Sequence, residues 1–151
     1  HYEVELVLRI CRLGKNIAPE FAHRYYDGIG LGIDFTARDV QEELKKKSLP
    51  WEKAKGFDGS AVVGEKFLPV EMVHDSLPFS LRKNDEVVQQ GSRSQMIFSF
   101  DQIIAYVSRY MTLKIGDLIF TGTPQGVGPV KPDDVLAGYL GDEEMFRIKI
   151  K

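Results

Sequence analysis

A chain of 151 residues, 43% hydrophobic and 28% charged, is long enough and ordinary enough in composition to form one globular domain with its own core. The formal net charge of -2 excludes the strong positive field that attracts nucleic acid or an anionic membrane. Its single cysteine, Cys11, excludes an intramolecular disulfide, and no apolar stretch approaches the roughly 20 residues of a membrane helix, so we expect a cytoplasmic protein.

The first predicted element is a β-strand over residues 2–11, where apolar and polar side chains alternate. Its apolar face carries Tyr2, Val4, Leu6, Leu8 and Ile10. The pattern starts abruptly at His1, without a preceding methionine. We therefore expect residues 1–151 to be a single domain that lacks an upstream N-terminal segment.

Two short helices and a strand are predicted next. Residues 19–27 begin with a proline and predict a short helix, and the apolar, glycine-containing residues 28–33 predict a strand. Thr36 and Asp39 resemble a capping box, which predicts that a helix covers residues 37–46. The cationic run Lys45 to Lys47 would then lie at the end of that helix, where cations suit the helix dipole.

The middle of the chain predicts a long loop followed by a hairpin. Residues 48–78 contain scattered prolines and glycines without periodicity, and a loop of that length in a compact domain is usually functional. Residues 79–83 and 86–91 flank Asn84-Asp85, a pair that is typical of a tight hairpin turn.

The last third predicts one helix and three strands. Ser99 and Gln102 form a capping box ahead of an amphipathic helix over residues 100–110. Strands are predicted over residues 117–121, 134–140 and 144–150, with a glycine- and proline-rich loop over residues 122–133. Strands and helices do not alternate regularly enough for a doubly wound sheet, so the fold class is a β-rich α+β fold.

Glu3 and Glu5 are the first candidate functional residues. They stand two apart on a strand, so both carboxylates project from the same face, where like charges repel. A divalent cation would offset that repulsion, and carboxylate oxygens suit Mg²⁺, Mn²⁺ or Ca²⁺. An exposed strand face decorated with acids would show the same pattern, and the pair alone favours that simpler interpretation.

Asp34 lies between a predicted strand and a predicted helix, a position where functional groups are common. Arg38 and Gln41 are three apart and share a helix face near its N-terminus, where they could present a guanidinium and an amide to an anion. Taken singly, Asp34 also fits a turn residue and Arg38 a surface salt bridge.

Lys55 and the loop after residue 120 complete the set. Lys55 could place a positive charge beside a developing enolate or oxyanion, although a solvated lysine would look the same. Thr121 and Thr123 bring hydroxyls into a glycine-rich loop that could bind an anion or be a tight structural loop. The lysine spacing of a nucleotide-binding P-loop is absent.

Together these segments resemble one family in order and spacing. They are His-Tyr-Glu-Val-Glu-Leu at residues 1–6, Asp-Phe-Thr-Ala-Arg-Asp-Val-Gln at 34–41, Lys-Gly-Phe-Asp at 55–58 and Thr-Gly-Thr-Pro-Gln-Gly-Val-Gly at 121–128. The ordered set resembles the catalytic C-terminal domain of the fumarylacetoacetate hydrolase family, of the acylpyruvate hydrolase and 2-hydroxyhepta-2,4-diene-1,7-dioate isomerase type. The resemblance implies a mixed β-roll or sandwich with a few short helices, commonly dimeric.

The same resemblance implies roles for individual residues. Glu3, Glu5 and Asp34 would hold Mg²⁺ or Mn²⁺, with Ca²⁺ as a substitute. Lys55 would be catalytic, and Arg38, Gln41 and Thr123 would line the substrate site. The expected ligand is a small 2-oxo acid, whose carboxylate and keto oxygens can chelate a metal.

The resemblance favours a hydrolase that cleaves C–C bonds in 2,4-dioxo acids such as acylpyruvates or fumarylpyruvate through an enolate. Hydrolases of this kind resemble one another in a His–Glu pair that activates water. The pair lies upstream of the strand that carries Glu3 and Glu5, which we call the E-x-E strand. The alternatives are an oxaloacetate decarboxylase, an isomerase or decarboxylase of unsaturated 2-oxo acids, and a non-catalytic domain that binds 2-oxo acids.

Overall fold

The computed structural model describes all 151 residues and contains two antiparallel sheets. In the first sheet β2 (Tyr26–Asp34) is flanked by β1 (Val4–Ile10), β3 (Ala61–Val63) and β4 (Leu68–Pro69), and β1 also pairs with β7 (Leu118–Phe120). The second sheet has the order β6 (Glu86–Ser92), β5 (Pro78–Lys83), β8 (Val135–Leu140) and β9 (Glu143–Lys149). The predicted β-rich α+β class is confirmed.

Short helices fill the connections between strands. They are α1 (Arg38–Lys46), α2 (Glu52–Lys55) and α3 (Phe100–Tyr110), with 3₁₀ turns at Pro19–Arg24, Val70–Met72 and Arg93–Gln95. None of the helices has the length and apolarity needed to cross a membrane.

The core lies between the sheets, and β1 is its central strand. The alternate residues Val4, Leu6, Leu8 and Ile10 are at most 1% exposed. α3 adds Phe100 and Ile104, which are fully buried. Because successive side chains of a strand point to opposite faces, this burial turns Glu3 and Glu5 to the outer face of the first sheet.

Two turn and cap predictions are confirmed. Asn84 and Asp85 have φ values of 51° and 70°, as the central residues of a tight hairpin between β5 and β6 require. The Ser99 hydroxyl accepts from the Gln102 amide, and the Gln102 side chain accepts from the Ser99 amide, so α3 begins as predicted.

Two helix predictions were wrong in detail. The segment at residues 19–27 is a 3₁₀ turn that ends at Arg24, because Tyr26 already pairs with Ile10 in the sheet. The predicted capping box of Thr36 and Asp39 does not form, since Ala37 caps α1 without a side-chain hydrogen bond. The Thr36 hydroxyl instead accepts a hydrogen bond from Lys55.

Residues 48–78 are also more ordered than their composition predicts. They contain α2, β3, β4 and a 3₁₀ turn, and both short strands pair with β2. The strands span three and two residues, too few for an alternating pattern to be visible in sequence. Long-range pairing with β2, not local propensity, determines this segment.

The cap of α3 yields a stability prediction. Ser99→Ala should lower the free energy of unfolding by about 1 kcal/mol, because the Gln102 amide loses its acceptor. Ser99→Asp keeps an acceptor and should stay near wild type. Urea denaturation of the three proteins checks this, and an unchanged midpoint for Ser99→Ala would show that the cap contributes nothing.

Candidate metal centre

Pairing of β1 with β2 brings the three predicted carboxylates together. Val4 pairs with Ile33, and the Asp34 amide donates to the Glu3 carbonyl at 2.9 Å, so the end of β2 lies beside the start of β1. Carboxylate oxygens of Glu3, Glu5 and Asp34 lie within 4.8 Å of one another. Glu3 and Glu5 are only 8% and 5% exposed, so the repulsion between them is poorly screened by water.

Lys55 inserts its ammonium into this acidic cluster. Its Nζ donates to Glu3 Oε2, Asp34 Oδ2 and Thr36 Oγ1, each at 2.7 Å. All three ammonium hydrogens are therefore used within the site. The Ala37 amide donates to the Ala54 carbonyl at 3.0 Å, which holds α2 against the start of α1 and aims Lys55 inward.

Arg38, held by Gln41, brings a second cation to the edge of the cluster. Arg38 Nη2 donates to Glu3 Oε1, while Nη1 donates to Gln41 Oε1 at 2.7 Å. Gln41 is buried, so its carbonyl holds the guanidinium towards Glu3. The structure thus brings both predicted ligand-binding residues to the carboxylates, on the helix face that their spacing predicts.

The compensation of charge in the cluster is uneven. Burial alone would raise the pKa of Glu3, but hydrogen bonds from Lys55 and Arg38 hold that pKa below its ordinary value. Burial also raises the pKa of Glu5, to about 7, and the nearby Asp34 and Glu3 charges add to this rise. The hydrogen bond from the Gly122 amide to Glu5 Oε2, 2.7 Å long, opposes it only in part.

The donor set fits a divalent cation that prefers oxygen ligands. Three carboxylates converge, and the protein donates no hydrogen to Glu5 Oε1 or Asp34 Oδ1. The pKa of Glu5 is raised first by burial and then by the neighbouring Asp34 and Glu3 charges, so its ionised form has less compensation than that of Glu3. A hard divalent cation would supply that compensation with the ligand chemistry it prefers.

Thr123 lies beside the cluster, but its hydroxyl is already engaged. Thr123 Oγ1 donates to the Val4 carbonyl and accepts from Gln89 Nε2, both at 2.9 Å. Its single hydroxyl hydrogen is therefore used within the chain. A substrate contact made by Thr123 would involve its backbone amide or a remaining lone pair of Oγ1.

Sequence reasoning missed three participants: Thr36, Gln89 and Gly122. Thr36 has the residue type and the position of a helix cap, and a backbone donor such as the Gly122 amide has no side chain to reveal it. For Gln89 a signal existed, since alternation along β6 places it on the same face as Gly91, towards the core. A buried glutamine on a core face indicates a specific hydrogen-bonding role.

A cavity of about 550 Å³ lies next to the cluster without enclosing it. It shares Gly122 and Thr123 with the site, and its lining mixes apolar side chains such as Met96 and Phe120 with uncharged polar ones such as Gln95. None of its lining side chains is charged. The charged chemistry of this region is therefore confined to the carboxylates and their cationic partners.

Comparison with known proteins places the chain in context. Residues 1–150 match the family described as fumarylacetoacetate (FAA) hydrolase C-terminal. The chain is 46% identical over 153 residues to the mitochondrial oxaloacetate tautomerase FAHD1 of Mus musculus, covering 100% of this chain and 69% of the relative. It is 41% identical over 138 residues to the mitochondrial oxaloacetate decarboxylase of Dictyostelium discoideum, covering 90% and 63%.

A solved structure is similar over nearly the whole chain. The fumarylpyruvate hydrolase of Pseudomonas aeruginosa, in complex with Mn²⁺ and pyruvate, superposes with a TM-score of 0.89 at 36% identity. The similarity covers 99% of this chain and 64% of that protein. The chain thus spans about two thirds of the length of the relatives that it matches.

The charge imbalance at Glu5 predicts an unusual dependence of stability on pH. A carboxyl whose pKa is raised to about 7 on folding destabilises the fold progressively as pH rises from about 4.5 to 7. Without divalent ions, Glu5→Gln should therefore become more stable than wild type by pH 8, by at most about 3 kcal/mol. Added Mn²⁺ should make wild type the more stable of the two proteins, because only wild type retains all three carboxylates to bind the ion.

Thermal unfolding at pH 5 and pH 8, with Mn²⁺ or with a chelator, measures this crossover. Glu43→Gln, which changes an exposed glutamate of α1, is the matched control and should show no crossover. If the difference in unfolding temperature between wild type and Glu5→Gln were independent of both pH and Mn²⁺, the proposed charge imbalance at Glu5 would be contradicted.

Proposed function

The chain belongs to the fumarylacetoacetate hydrolase family, and we propose that residues 1–151 form a metal-dependent catalytic domain that acts on a small 2-oxo acid through its enol form. One observation carries the proposal: three carboxylates converge within 4.8 Å, and a lysine ammonium contacts two of them. In a catalytic domain this lysine can also offer its charge to a substrate enolate. In the rival interpretation, a domain that binds 2-oxo acids without catalysis, Lys55 would only compensate the charge of Glu3 and Asp34.

Glu3, Glu5 and Asp34 are the proposed ligands, with Mg²⁺ or Mn²⁺ as the native ion and Ca²⁺ as a substitute. When bound, the cation supplies Lewis acidity to the carboxylate and keto oxygens of the substrate and stabilises negative charge on the keto oxygen. The donor chemistry of the site supports an oxygen-preferring ion. The Mn²⁺ and pyruvate complex of the Pseudomonas relative supports the same assignment.

The remaining residues of the site act on the substrate and not on the ion. Lys55 has no lone pair to donate to a metal while protonated, so its contribution is a fixed positive charge and a movable hydrogen-bond donor. Arg38 uses only some of its five N–H groups on Glu3 and Gln41, and the others can orient a substrate carboxylate. Gln41 positions Arg38 through their hydrogen bond. Thr123 follows Gly122, whose amide contacts Glu5, and lies beside the substrate site.

The first candidate reaction is tautomerisation or decarboxylation of oxaloacetate. Both proceed through an enol or enolate, and both need charge stabilisation and proton transfer more than an activated water. Lys55 and Arg38 supply positive charge for the first of these requirements. The names of the mouse and Dictyostelium relatives support this candidate at 46% and 41% identity.

The second candidate is hydrolysis of a C–C bond in a 2,4-dioxo acid such as an acylpyruvate or fumarylpyruvate. The Pseudomonas relative supports it at 36% identity. Hydrolysis additionally requires a base that activates water. The higher identity to the mouse and Dictyostelium relatives is what places this candidate second.

We further propose that the protein is a homodimer, as the family resemblance implies, and that it is cytoplasmic, as the sequence predicts. Both statements stay predictions, and two of the relatives bear mitochondrial names.

A substrate panel separates the candidates. We expect Mg²⁺- or Mn²⁺-dependent conversion of oxaloacetate, followed as enol–keto exchange and as pyruvate release, and no conversion with excess chelator. Acetylpyruvate, fumarylpyruvate and fumarylacetoacetate test hydrolysis in the same assay. Metal-dependent cleavage of a dioxo acid without activity on oxaloacetate would establish the second candidate. Tight binding of 2-oxo acids without turnover of any would establish the non-catalytic domain.

Two variants separate chemistry from metal binding. Lys55→Met should lower turnover by about 10²–10³ without weakening Mn²⁺ binding, because it removes a transition-state donor and a cation that competes for the carboxylates. Glu5→Gln should lose both metal affinity and turnover. Lys53→Met, on the exposed side of α2, is the matched control and should behave as wild type.

Calorimetric Mn²⁺ titration and steady-state kinetics measure both effects. Near-normal turnover of Lys55→Met would place Lys55 outside the reacting centre. Normal Mn²⁺ binding by Glu5→Gln would remove Glu5 from the ligand set.

A further inference from the structure

We propose that Gln89, a buried residue of the second sheet, is a positioning residue that locks the E-x-E strand to the Gly122–Pro124 loop and so holds Glu5 in place for metal binding. The proposal rests on the metal site proposed above. It concerns a residue that touches neither the carboxylates nor the expected substrate, and it makes the two sheets jointly responsible for the site.

The backbone of β1 creates the need for such a residue. β7 pairs with β1 only from Val7 to Arg9. On this edge the Thr121 amide donates to the Leu6 carbonyl at 3.2 Å, and the next backbone bond runs from the Tyr2 amide to the Gly128 carbonyl at 2.9 Å. Between these two bonds the Val4 amide and carbonyl face the same edge without a backbone partner. Because Val4 is fully buried, leaving both groups without hydrogen bonds would cost the full desolvation penalty of each.

Gln89 and Thr123 replace the missing strand. Gln89 Oε1 accepts from the Val4 amide at 2.9 Å, and Gln89 Nε2 donates to Thr123 Oγ1 at 2.9 Å. Thr123 Oγ1 in turn donates to the Val4 carbonyl at 2.9 Å, which closes a ring of three hydrogen bonds. The carboxamide thus acts as a peptide group would, extending the ladder of the sheet by one residue.

The network leaves the carboxamide one orientation. The second hydrogen of Gln89 Nε2 goes to the Pro124 carbonyl at 3.0 Å, so both amide hydrogens and the amide oxygen have partners. Exchanging oxygen and nitrogen would set the NH₂ group against the Val4 amide and lose the bonds to Thr123 and Pro124. With only 2% exposure, Gln89 has no water to offset that loss.

Two features connect the ring to the metal ligands. Val4 stands between Glu3 and Glu5, so holding its backbone fixes the direction of both side chains. Gly122 immediately precedes Thr123, and its amide donates to Glu5 Oε2 at 2.7 Å. The chain that follows the loop packs closely on β6 at Gly126, where a Cβ atom would clash with the Val88 carbonyl oxygen.

Gln89→Met tests the proposal, because methionine keeps the length and volume of the side chain and removes its hydrogen bonds. Hydrogen exchange of the metal-free protein should show about tenfold or greater loss of protection at the Val4 and Gly122 amides, with the β1–β2 ladder unaffected. Mn²⁺ affinity should fall roughly 10–100-fold. Gln90→Met, an exposed neighbour on β6 without side-chain hydrogen bonds, is the matched control and should leave both measurements unchanged.

Thr123→Val provides a second, independent break in the same ring and should reproduce the loss of Val4 protection if Gln89→Met does not fold. A uniform loss of protection with unchanged Mn²⁺ affinity would overturn the proposal and leave Gln89 as a packing residue. If wild type itself binds no Mn²⁺, the proposed metal site is wrong. The exchange at Val4 and Gly122 still decides, in that case, whether Gln89 positions the loop.

Discussion

Electrostatic repulsion between carboxylates that the fold forces together is the constraint on which the rest of the site depends. The register of β1 against β2 leaves Glu3, Glu5 and Asp34 no means of separating, and their burial denies them the screening of water. The surrounding elements supply compensation of two kinds: Lys55 and Arg38 bring positive charge, and the Gly122 amide brings a dipole. A divalent cation fits the negative charge that remains.

The need to compensate this charge explains the positions of several segments that look unrelated in the sequence. α1 and α2 are short, and their contribution is to aim Arg38 and Lys55 at the start of β1. β7 stops pairing with β1 before the E-x-E motif, which frees the following loop to reach Glu5 through Gly122. The second sheet closes the gap through Gln89, so the site is assembled from both layers of the fold.

Much of the site could be predicted from the sequence because its chemistry is carried by charged side chains with regular spacing. The two-residue interval of Glu3 and Glu5 predicts a shared strand face, and the three-residue interval of Arg38 and Gln41 predicts a shared helix face. The Asn84-Asp85 turn and the Ser99 cap could also be predicted, since both depend on local backbone chemistry.

What could not be predicted depends on partners that are distant in the chain. Thr36 has the right identity for a helix cap, yet a lysine that follows it by 19 positions draws its hydroxyl into the site. β3 and β4 are too short to show periodicity and exist because β2 offers them a strand to pair with. The engagement of the Thr123 hydroxyl was hidden for the same reason, because its partner Gln89 belongs to the other sheet.

The measurement that tests the central claim most directly is a crystal structure of the protein grown with Mn²⁺ and analysed by anomalous scattering from manganese. We expect one dominant anomalous peak enclosed by the carboxylates of Glu3, Glu5 and Asp34. The Lys55 ammonium should move away from at least one of its carboxylate partners to admit the ion. A dominant peak elsewhere, with Lys55 still bonded to both Glu3 and Asp34, would contradict a metal centre at this cluster.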